Sequence, residues 1–166
     1  GVVSFCKCHG GIIAPAATSP GELVVNGWSP SKRNNPFANS GMVVQVEEKD
    51  AAEYFKSPQS SIVNRQESND PLLLMHFQAA IEQKAFIAGG GNSVAPAQRM
   101  VDFCNNKISS SLPQCSYVPG LNSTGLNNVL PTYLYAALQN GFKAFWQKIK
   151  GYLTNDTVFV ATQSLT

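Results

Sequence analysis

The segment 70–91 constrains the fold most, because it carries a complete set of local helix signals. Asp70-Pro71 supplies an N-cap residue followed by proline at the first helical position. Strong helix formers run from 72 to 88, and Gly89-Gly90-Gly91 then ends the helix. Apolar residues occupy much of the helix circumference, so we predict a helix buried in the core of the domain.

The first 48 residues predict strands. Short β-branched runs alternate with turn formers, a pattern typical of a small antiparallel sheet. The runs cover 2–6, 12–14, 23–25 and 42–47. A further strand pattern covers 157–165, and we expect this C-terminal strand to join the N-terminal strands.

The middle of the chain predicts helices and loops. Residues 48–69 indicate mostly loop with a helical turn at 51–55, and a second helix is expected to begin at Pro96 and run to about 105. A long loop follows at 109–128, then a helical region at 130–150 that Asn140-Gly141 could break. We therefore predict one α+β domain over 1–166. It is β-rich over 1–48 and mainly helical over 70–150, with three to four helices packed on the small antiparallel sheet.

Composition excludes several classes of protein. A hydrophobic fraction of 43% with 13% charged residues is ordinary for a globular domain. Twelve basic and ten acidic residues show no run of like charge, so neither a nucleic-acid arm nor a basic membrane-binding face is expected. No apolar stretch approaches the roughly 18 residues of a membrane span.

Four cysteines are too few and too unevenly spaced for the disulfide framework of a secreted domain, which favours the cytoplasm. The chain begins without Met, and both ends fall in strand patterns. We therefore expect a domain taken from within a larger polypeptide.

The most reactive-looking segment is Phe5-Cys6-Lys7-Cys8-His9-Gly10-Gly11. In an extended strand, Cys6 and Cys8 share one face and His9 lies on the other, so the three cannot bind one ion without a turn. A metal site is therefore not predicted. Redox-active or substrate-contacting thiols are an alternative, while structural thiols are favoured on the residues alone.

Two other groups of polar residues are candidates for binding. Asn26, Arg33 and Asn39 concentrate amides and one guanidinium between strands, where they suit either turn formation or an anionic ligand. Gly89-Gly90-Gly91 follows a helix and not a strand, so helix termination is favoured over a phosphate loop. Asn92 and Arg99 beyond it remain candidates for contacting an anion or a polar substrate. His76 inside the long helix is expected to be a buried, hydrogen-bonded side chain.

The order of these segments resembles a known family, the uncharacterised FAD-dependent, NAD/FAD-utilising dehydrogenases of bacteria. The resemblance rests on the ordered segments Ser4-Phe5-Cys6-Lys7-Cys8-His9-Gly10-Gly11, Val24-Val25-Asn26-Gly27-Trp28-Ser29, Arg33, Ala38-Asn39-Ser40, Phe86, Gly89-Gly90-Gly91-Asn92, Ala95-Pro96-Ala97-Gln98-Arg99 and Leu130-Pro131, together with 158–166. The chain departs from the family at Lys7, His9 and Trp28, where an apolar residue, a proline and a methionine are usual.

The resemblance implies that the chain is the inserted substrate or cap domain of a FAD-dependent oxidoreductase, without catalytic activity alone. The partners implied are the FAD-binding domain of the same polypeptide and a small-molecule substrate, with NAD(P)H as a candidate electron donor. FAD is expected in the full-length protein and not in this chain alone. The implied site residues are Cys6 and Cys8 for catalysis, Gly10, Gly11 and Asn92 for the cofactor, and Asn26, Arg33, Asn39 and Arg99 for the substrate. A non-catalytic binding or interaction module is the alternative.

Overall fold

The structure, a computed structural model, describes residues 1–58, 60 and 70–163. Seven short strands and four helices occur in these ranges. The strands are β1 (Val2–Cys8), β2 (Ile12–Pro15), β3 (Val25–Trp28), β4 (Asn39–Val44), β5 (Ala95–Arg99), β6 (Leu121–Ser123) and β7 (Val158–Val160). The helices are α1 (Glu48–Lys56), α2 (Leu73–Gly89), α3 (Met100–Cys104) and α4 (Thr132–Lys148), with a 3₁₀ turn at Leu126–Asn128. The predicted α+β class, with small antiparallel pairs and a helical segment, is confirmed.

Helix α2 lies where the local signals predict it, but its N-cap is Leu72 and not Asp70, so Pro71 precedes the first helical residue. The Asp70 carboxylate accepts a hydrogen bond from the Leu72 backbone N–H at 2.8 Å, ahead of the first turn. At the other end Gly90 adopts a φ of 108°, a left-handed conformation that favours glycine. One side of the helix packs on α1, where the rings of Tyr54 and Phe77 meet edge to face at 5.2 Å. The prediction of only a short turn before residue 56 was wrong, since α1 is a nine-residue helix that begins with a capping box at Glu47.

The N-terminal residues form two separate antiparallel pairs. Strand β1 pairs with β4, Val2 opposite Val44, and β2 pairs with β3, Ile12 opposite Trp28. A β-bulge interrupts β1 between Phe5 and Cys8. Both pairs lie side by side, so their connecting loops come together at one end of the domain.

The third sheet has the order β6-β5-β7, with β5 in the centre. The prediction of a helix from Pro96 was wrong, because 95–99 is a strand and the helix that follows covers only α3. Proline at a first helical position and strong helix formers are local signals, whereas β5 is held by partners distant in sequence. The Ala161 N–H donates to the Pro96 carbonyl and the Thr124 N–H to that of Ala97.

The C-terminal strand also has a different neighbour from the one expected. Strand β7 pairs with β5, and the residues after it reach the N-terminal strands, beginning with a hydrogen bond from the Val25 N–H to the Thr162 carbonyl at 2.8 Å. Residues 164–166 of the predicted strand lie outside the described part of the chain. The terminal segment thus connects the central sheet to β3.

Helix α4 is continuous through Asn140-Gly141, so the break predicted there was wrong. Gly141 has a packing role. A β-carbon added to it would lie 2.7 Å from the β-carbon of Val2, which places β1 directly against the helix. Among the helices that the structure describes, none is long and apolar enough to cross a membrane.

Gln98 is the most deeply buried polar side chain of the central sheet, with 1% of its surface exposed. Its amide nitrogen donates to the Lys107 carbonyl at 2.7 Å, and its amide oxygen accepts from the Leu126 N–H at 2.7 Å. One side chain therefore satisfies two backbone groups, a part-buried one on the segment that leaves α3 and a buried one at the start of the 3₁₀ turn.

We expect Gln98→Met to lower the free energy of unfolding by about 1 to 3 kcal/mol, because at a similar side-chain volume it leaves the buried Leu126 N–H and the part-buried Lys107 carbonyl without their partner. Gln147→Met, on the exposed side of α4, is the matched control and should change it by less than about 0.5 kcal/mol. Urea unfolding of the 166-residue chain measures both. Equal midpoints for the two variants would contradict the assignment.

Candidate functional site

Asn39 joins the two N-terminal strand pairs. It lies opposite Cys8 in the β1–β4 register, and its side-chain nitrogen donates to the Ile12 carbonyl at 3.2 Å. The same amide lies against two glycines of the other pair. A β-carbon on Gly11 would come within 2.6 Å of the Asn39 nitrogen, and one on Gly27 within 2.2 Å of its oxygen. Only glycine at both positions admits the Asn39 side chain between the strand pairs.

Gly10 lies directly against the turn 30–33, where it too must be glycine. It adopts a φ of 60°, and a β-carbon on it would lie 2.1 Å from the Arg33 carbonyl oxygen. Arg33 is itself left-handed, with a φ of 45°, and closes a turn in which its N–H donates to the Pro30 carbonyl at 3.0 Å. The Ser29 hydroxyl donates to the His9 carbonyl at 3.0 Å and fixes the two loops together.

These contacts define a compact group that we call the N-terminal cluster: Cys8, Gly10, Gly11, Gly27, Arg33 and Asn39. Five of the sequence-predicted site residues belong to it, and Gly27 is the sixth member. Its exposed functional group is the Arg33 side chain, which makes no ion pair or hydrogen bond within the described ranges. The cluster offers amides, a thiol and a guanidinium, which suit binding of a polar or anionic ligand.

The two cysteines of the reactive-looking segment differ in environment. Cys6 is exposed and has a φ of 47° within the bulge, so the regular alternation expected of an extended strand is lost there. Cys8 is half-buried, and its thiol lies 3.9 Å from the Gly27 carbonyl, which accepts a weak hydrogen bond. Within 1–58, 60 and 70–163, no three His, Cys, Asp or Glu side chains gather closely enough to hold a metal ion.

Asn26 lies beside the N-terminal cluster and is tied to the end of the chain. Its side-chain oxygen accepts a hydrogen bond from the Gln163 amide at 3.0 Å. Because the Val25 backbone also bonds to Thr162, strand β3 is held by the segment that follows β7. The site is therefore built from both ends of the chain.

Asn92 and Arg99, two other predicted site residues, have different partners. The Asn92 side chain accepts from the Val94 N–H at 2.8 Å within the turn after α2. The Arg99 guanidinium donates to the Ser111 carbonyl at 2.7 Å, to the Ser111 hydroxyl at 3.1 Å and to the Asn155 carbonyl. Its donors thus connect the 109–111 loop to the segment before β7. Roles for Asn92 and Arg99 in binding stay predictions.

His76 and Cys104 are two further ionisable side chains. His76, expected inside the core, is half-buried and lies 3.4 Å from the Asp70 carboxylate. Cys104 is buried in α3, and burial raises the pKa of its thiol, an effect that Lys143 partly opposes. Cys104 is therefore a structural thiol, in contrast to the exposed Cys6.

Sequence reasoning missed Ser29 and the charge distribution around the N-terminal cluster. No run of like charge exists, yet residues 1–46 contain three basic side chains and only one acidic side chain, Glu22. Residues 47–166 contain nine of each, so the formal net charge of +2 belongs to the first 46 residues. Counting charges by segment would have revealed this asymmetry.

Comparison with known proteins places the chain in a family. The family model described as "FAD-dependent protein, C-terminal domain-like" matches residues 1–166, the whole chain. The chain belongs to this family. The FAD-dependent character expected from the ordered motifs is thereby confirmed at the level of the family.

A relative shows that a sequence similar to this chain occurs within a longer protein. An "Uncharacterized protein" of Clostridium beijerinckii (strain ATCC 51743 / NCIMB 8052) is 38% identical over 168 residues. The match covers 100% of this chain and 29% of the relative. The chain therefore spans less than a third of the length of that relative.

The contacts of the N-terminal cluster predict that Gly→Ala lowers stability more at Gly10 than at Gly21, although both glycines have a positive φ. At Gly21, with a φ of 79° and no atom within 4 Å of an added β-carbon, Ala should cost about 1 to 2 kcal/mol of backbone strain. At Gly10 the added methyl also meets the Arg33 backbone, so the loss should be about 1 to 3 kcal/mol larger. Urea unfolding of both variants measures the difference, and equal losses would mean that the two loops are not in contact.

Proposed function

We propose that this chain is the substrate or cap domain of a FAD-dependent oxidoreductase of the dehydrogenase type. The observation that carries the proposal is the family match over the whole chain, combined with a relative more than three times as long. In such an enzyme the flavin performs the redox chemistry, while the protein binds the substrate and excludes water. The chain supplies part of that protein environment as one domain, 1–166.

The dinucleotide fold is proposed to lie elsewhere in the same polypeptide. The 166 residues contain no G-x-G-x-x-G fingerprint. Strand β5 passes from Arg99 directly into Met100 of a five-residue helix, without the glycine turn that brings a pyrophosphate to a helix N-terminus. A FAD-binding domain elsewhere in the same polypeptide is therefore its proposed partner.

The N-terminal cluster, with Cys6 and Asn26 beside it, is proposed to face the flavin and the substrate. Support comes from its construction, because three glycines and the Asn39 amide hold the loops rigidly while Arg33 and Cys6 stay exposed. Rigid loops with exposed donors are what a binding site requires. All four cysteines are free thiols, which agrees with a reducing, cytoplasmic location as part of the proposal.

The full-length protein tests the proposal through its flavin. We expect it to purify with visible flavin absorbance that a reductant such as NADH, NADPH or dithionite bleaches, whereas the 166-residue chain alone should hold none. Stoichiometric flavin on the isolated chain would refute the division into domains. A full-length protein without flavin, and unable to bind added FAD, would favour a non-catalytic binding module.

Thiol variants in the full-length protein then test the orientation of the cluster. We expect Cys6→Ser and Cys8→Ser to slow flavin reduction by a factor of roughly 3 or more if the thiols contact cofactor or substrate. Cys115→Ser is the matched control, because its half-buried thiol lies in the 109–120 loop and accepts only the Tyr117 N–H, at 3.4 Å. If the Cys6→Ser and Cys8→Ser variants reduce flavin as fast as the control variant, Cys6 and Cys8 have a structural role.

A further inference from the structure

Positive charge is concentrated in the first 46 residues. Lys7, Lys32 and Arg33 supply the basic side chains of this segment. The one acidic residue of this segment, Glu22, lies beside α2: the Leu23 N–H next to it donates to the Glu82 carbonyl at 3.1 Å, and burial together with the Glu82 carboxylate raises the pKa of Glu22.

Folding brings the basic residues together through backbone contacts. Gly10 packs directly on the Arg33 backbone, and the Ser29 hydroxyl holds the His9 carbonyl. The segment 7–10 is thereby fixed against the turn 30–33. We call the group formed by Lys7, His9, Lys32 and Arg33 the basic face, and all four of its residues are exposed.

No carboxylate neutralises the basic face within the described ranges. The ion pairs found there join Lys49 to Glu47 and His76 to Asp70, both outside the first 46 residues. Three like charges on two segments that contact each other, without counter-ions, attract an anion and are stabilised when one binds. A guanidinium carried by a fixed turn, with two flexible ammonium groups on the same and the contacting segment, can supply donors to the several oxygens of a phosphate or diphosphate.

An exposed aromatic residue is next in sequence to a residue that is bonded to the basic face. Trp28, 47% exposed, directly precedes the Ser29 that bonds to His9. An exposed indole is an apolar, planar surface on which a heterocyclic base can stack. A diphosphate next to such a base is the chemistry of a dinucleotide.

We propose that the basic face binds the diphosphate of a dinucleotide, with Arg33 as the bidentate contact and Trp28 against the adjoining base. This inference rests on the proposed function, since a flavin-dependent enzyme binds FAD and takes electrons from a donor. The diphosphate belongs either to the FAD held by the partner domain or to a nicotinamide dinucleotide. Both sources share the same recognition chemistry, and the experiment below distinguishes them.

The first measurement uses inorganic pyrophosphate and the full-length protein, both as purified and after removal of any flavin. Lys7→Gln, Lys32→Gln and Arg33→Gln combined remove three charges while keeping the side-chain stems. We expect calorimetric titration to show binding that this triple variant weakens by roughly tenfold or more. The control combines Lys107→Gln, Lys148→Gln and Lys150→Gln, which are equally exposed elsewhere. Equal affinity of the two triple variants would overturn the proposal.

Arg33→Lys tests the bidentate contact separately. It keeps the charge but loses the planar fork of donors, so pyrophosphate affinity should fall between that of the wild type and that of Arg33→Gln. Binding equal to the wild type would reduce Arg33 to a point charge and contradict its bidentate role.

Two further measurements on the variant with Lys7, Lys32 and Arg33 replaced by Gln identify the source of the diphosphate. Loss of bound FAD with an unchanged KM for the electron donor assigns the basic face to FAD, whereas a raised KM with full flavin assigns it to NADH or NADPH. If the triple variant keeps both its bound FAD and its KM for the electron donor, the proposal is overturned even if pyrophosphate binds. A protein that binds pyrophosphate at this face but no flavin would refute the proposed function and leave the anion site standing, so the two failures are distinguishable.

Discussion

Burial of strand β5 is the constraint on which the rest of the domain depends. A strand in the centre of a sheet must satisfy its backbone on both edges, and β5 does so with β6 on one side and β7 on the other. Gln98 then satisfies two more buried backbone groups, and the Arg99 side chain connects the loops on either side. Because β7 leads into Thr162 and Gln163, which bond to β3, this central strand also determines where the N-terminal strand pairs lie.

Local signals in the sequence predict the elements that local interactions stabilise. Helix α2 begins and ends within a residue of its prediction, because Asp70 and Gly90 act on their own turns. Strand β5 could not be predicted in this way, since Pro96 and its neighbours favour a helix until distant strands pair with them. Gly141 likewise resembles a helix break in sequence, but its small size serves the packing of Val2.

The sequence indicates which residues are candidates for the site but not how they are held together, and their role in binding stays a prediction. Cys8, Arg33 and Asn39 were expected to line a site, and the structure brings them together around glycines whose missing side chains make room for Asn39 and for the Arg33 backbone. The contact of Gly10 with Arg33 joins residues 23 positions apart, which no local pattern encodes. Arg99 was selected for its charge, yet its donors are bound to loop carbonyls, and a sequence does not show which guanidinium is already engaged.

We propose that the domain is a rigid support whose N-terminal cluster and basic face lie toward a flavin held by the rest of the protein. The distance between Cys6 and that flavin tests this most directly. A spin label on Cys6 in the full-length protein, with the other reactive thiols replaced, permits a pulsed electron paramagnetic resonance measurement to the flavin semiquinone. A domain of this length has a radius of gyration of about 15 Å, so a cluster that faces the flavin predicts about 20 Å or less. A distance of about 35 Å or more would place this end of the domain away from the flavin and contradict the account.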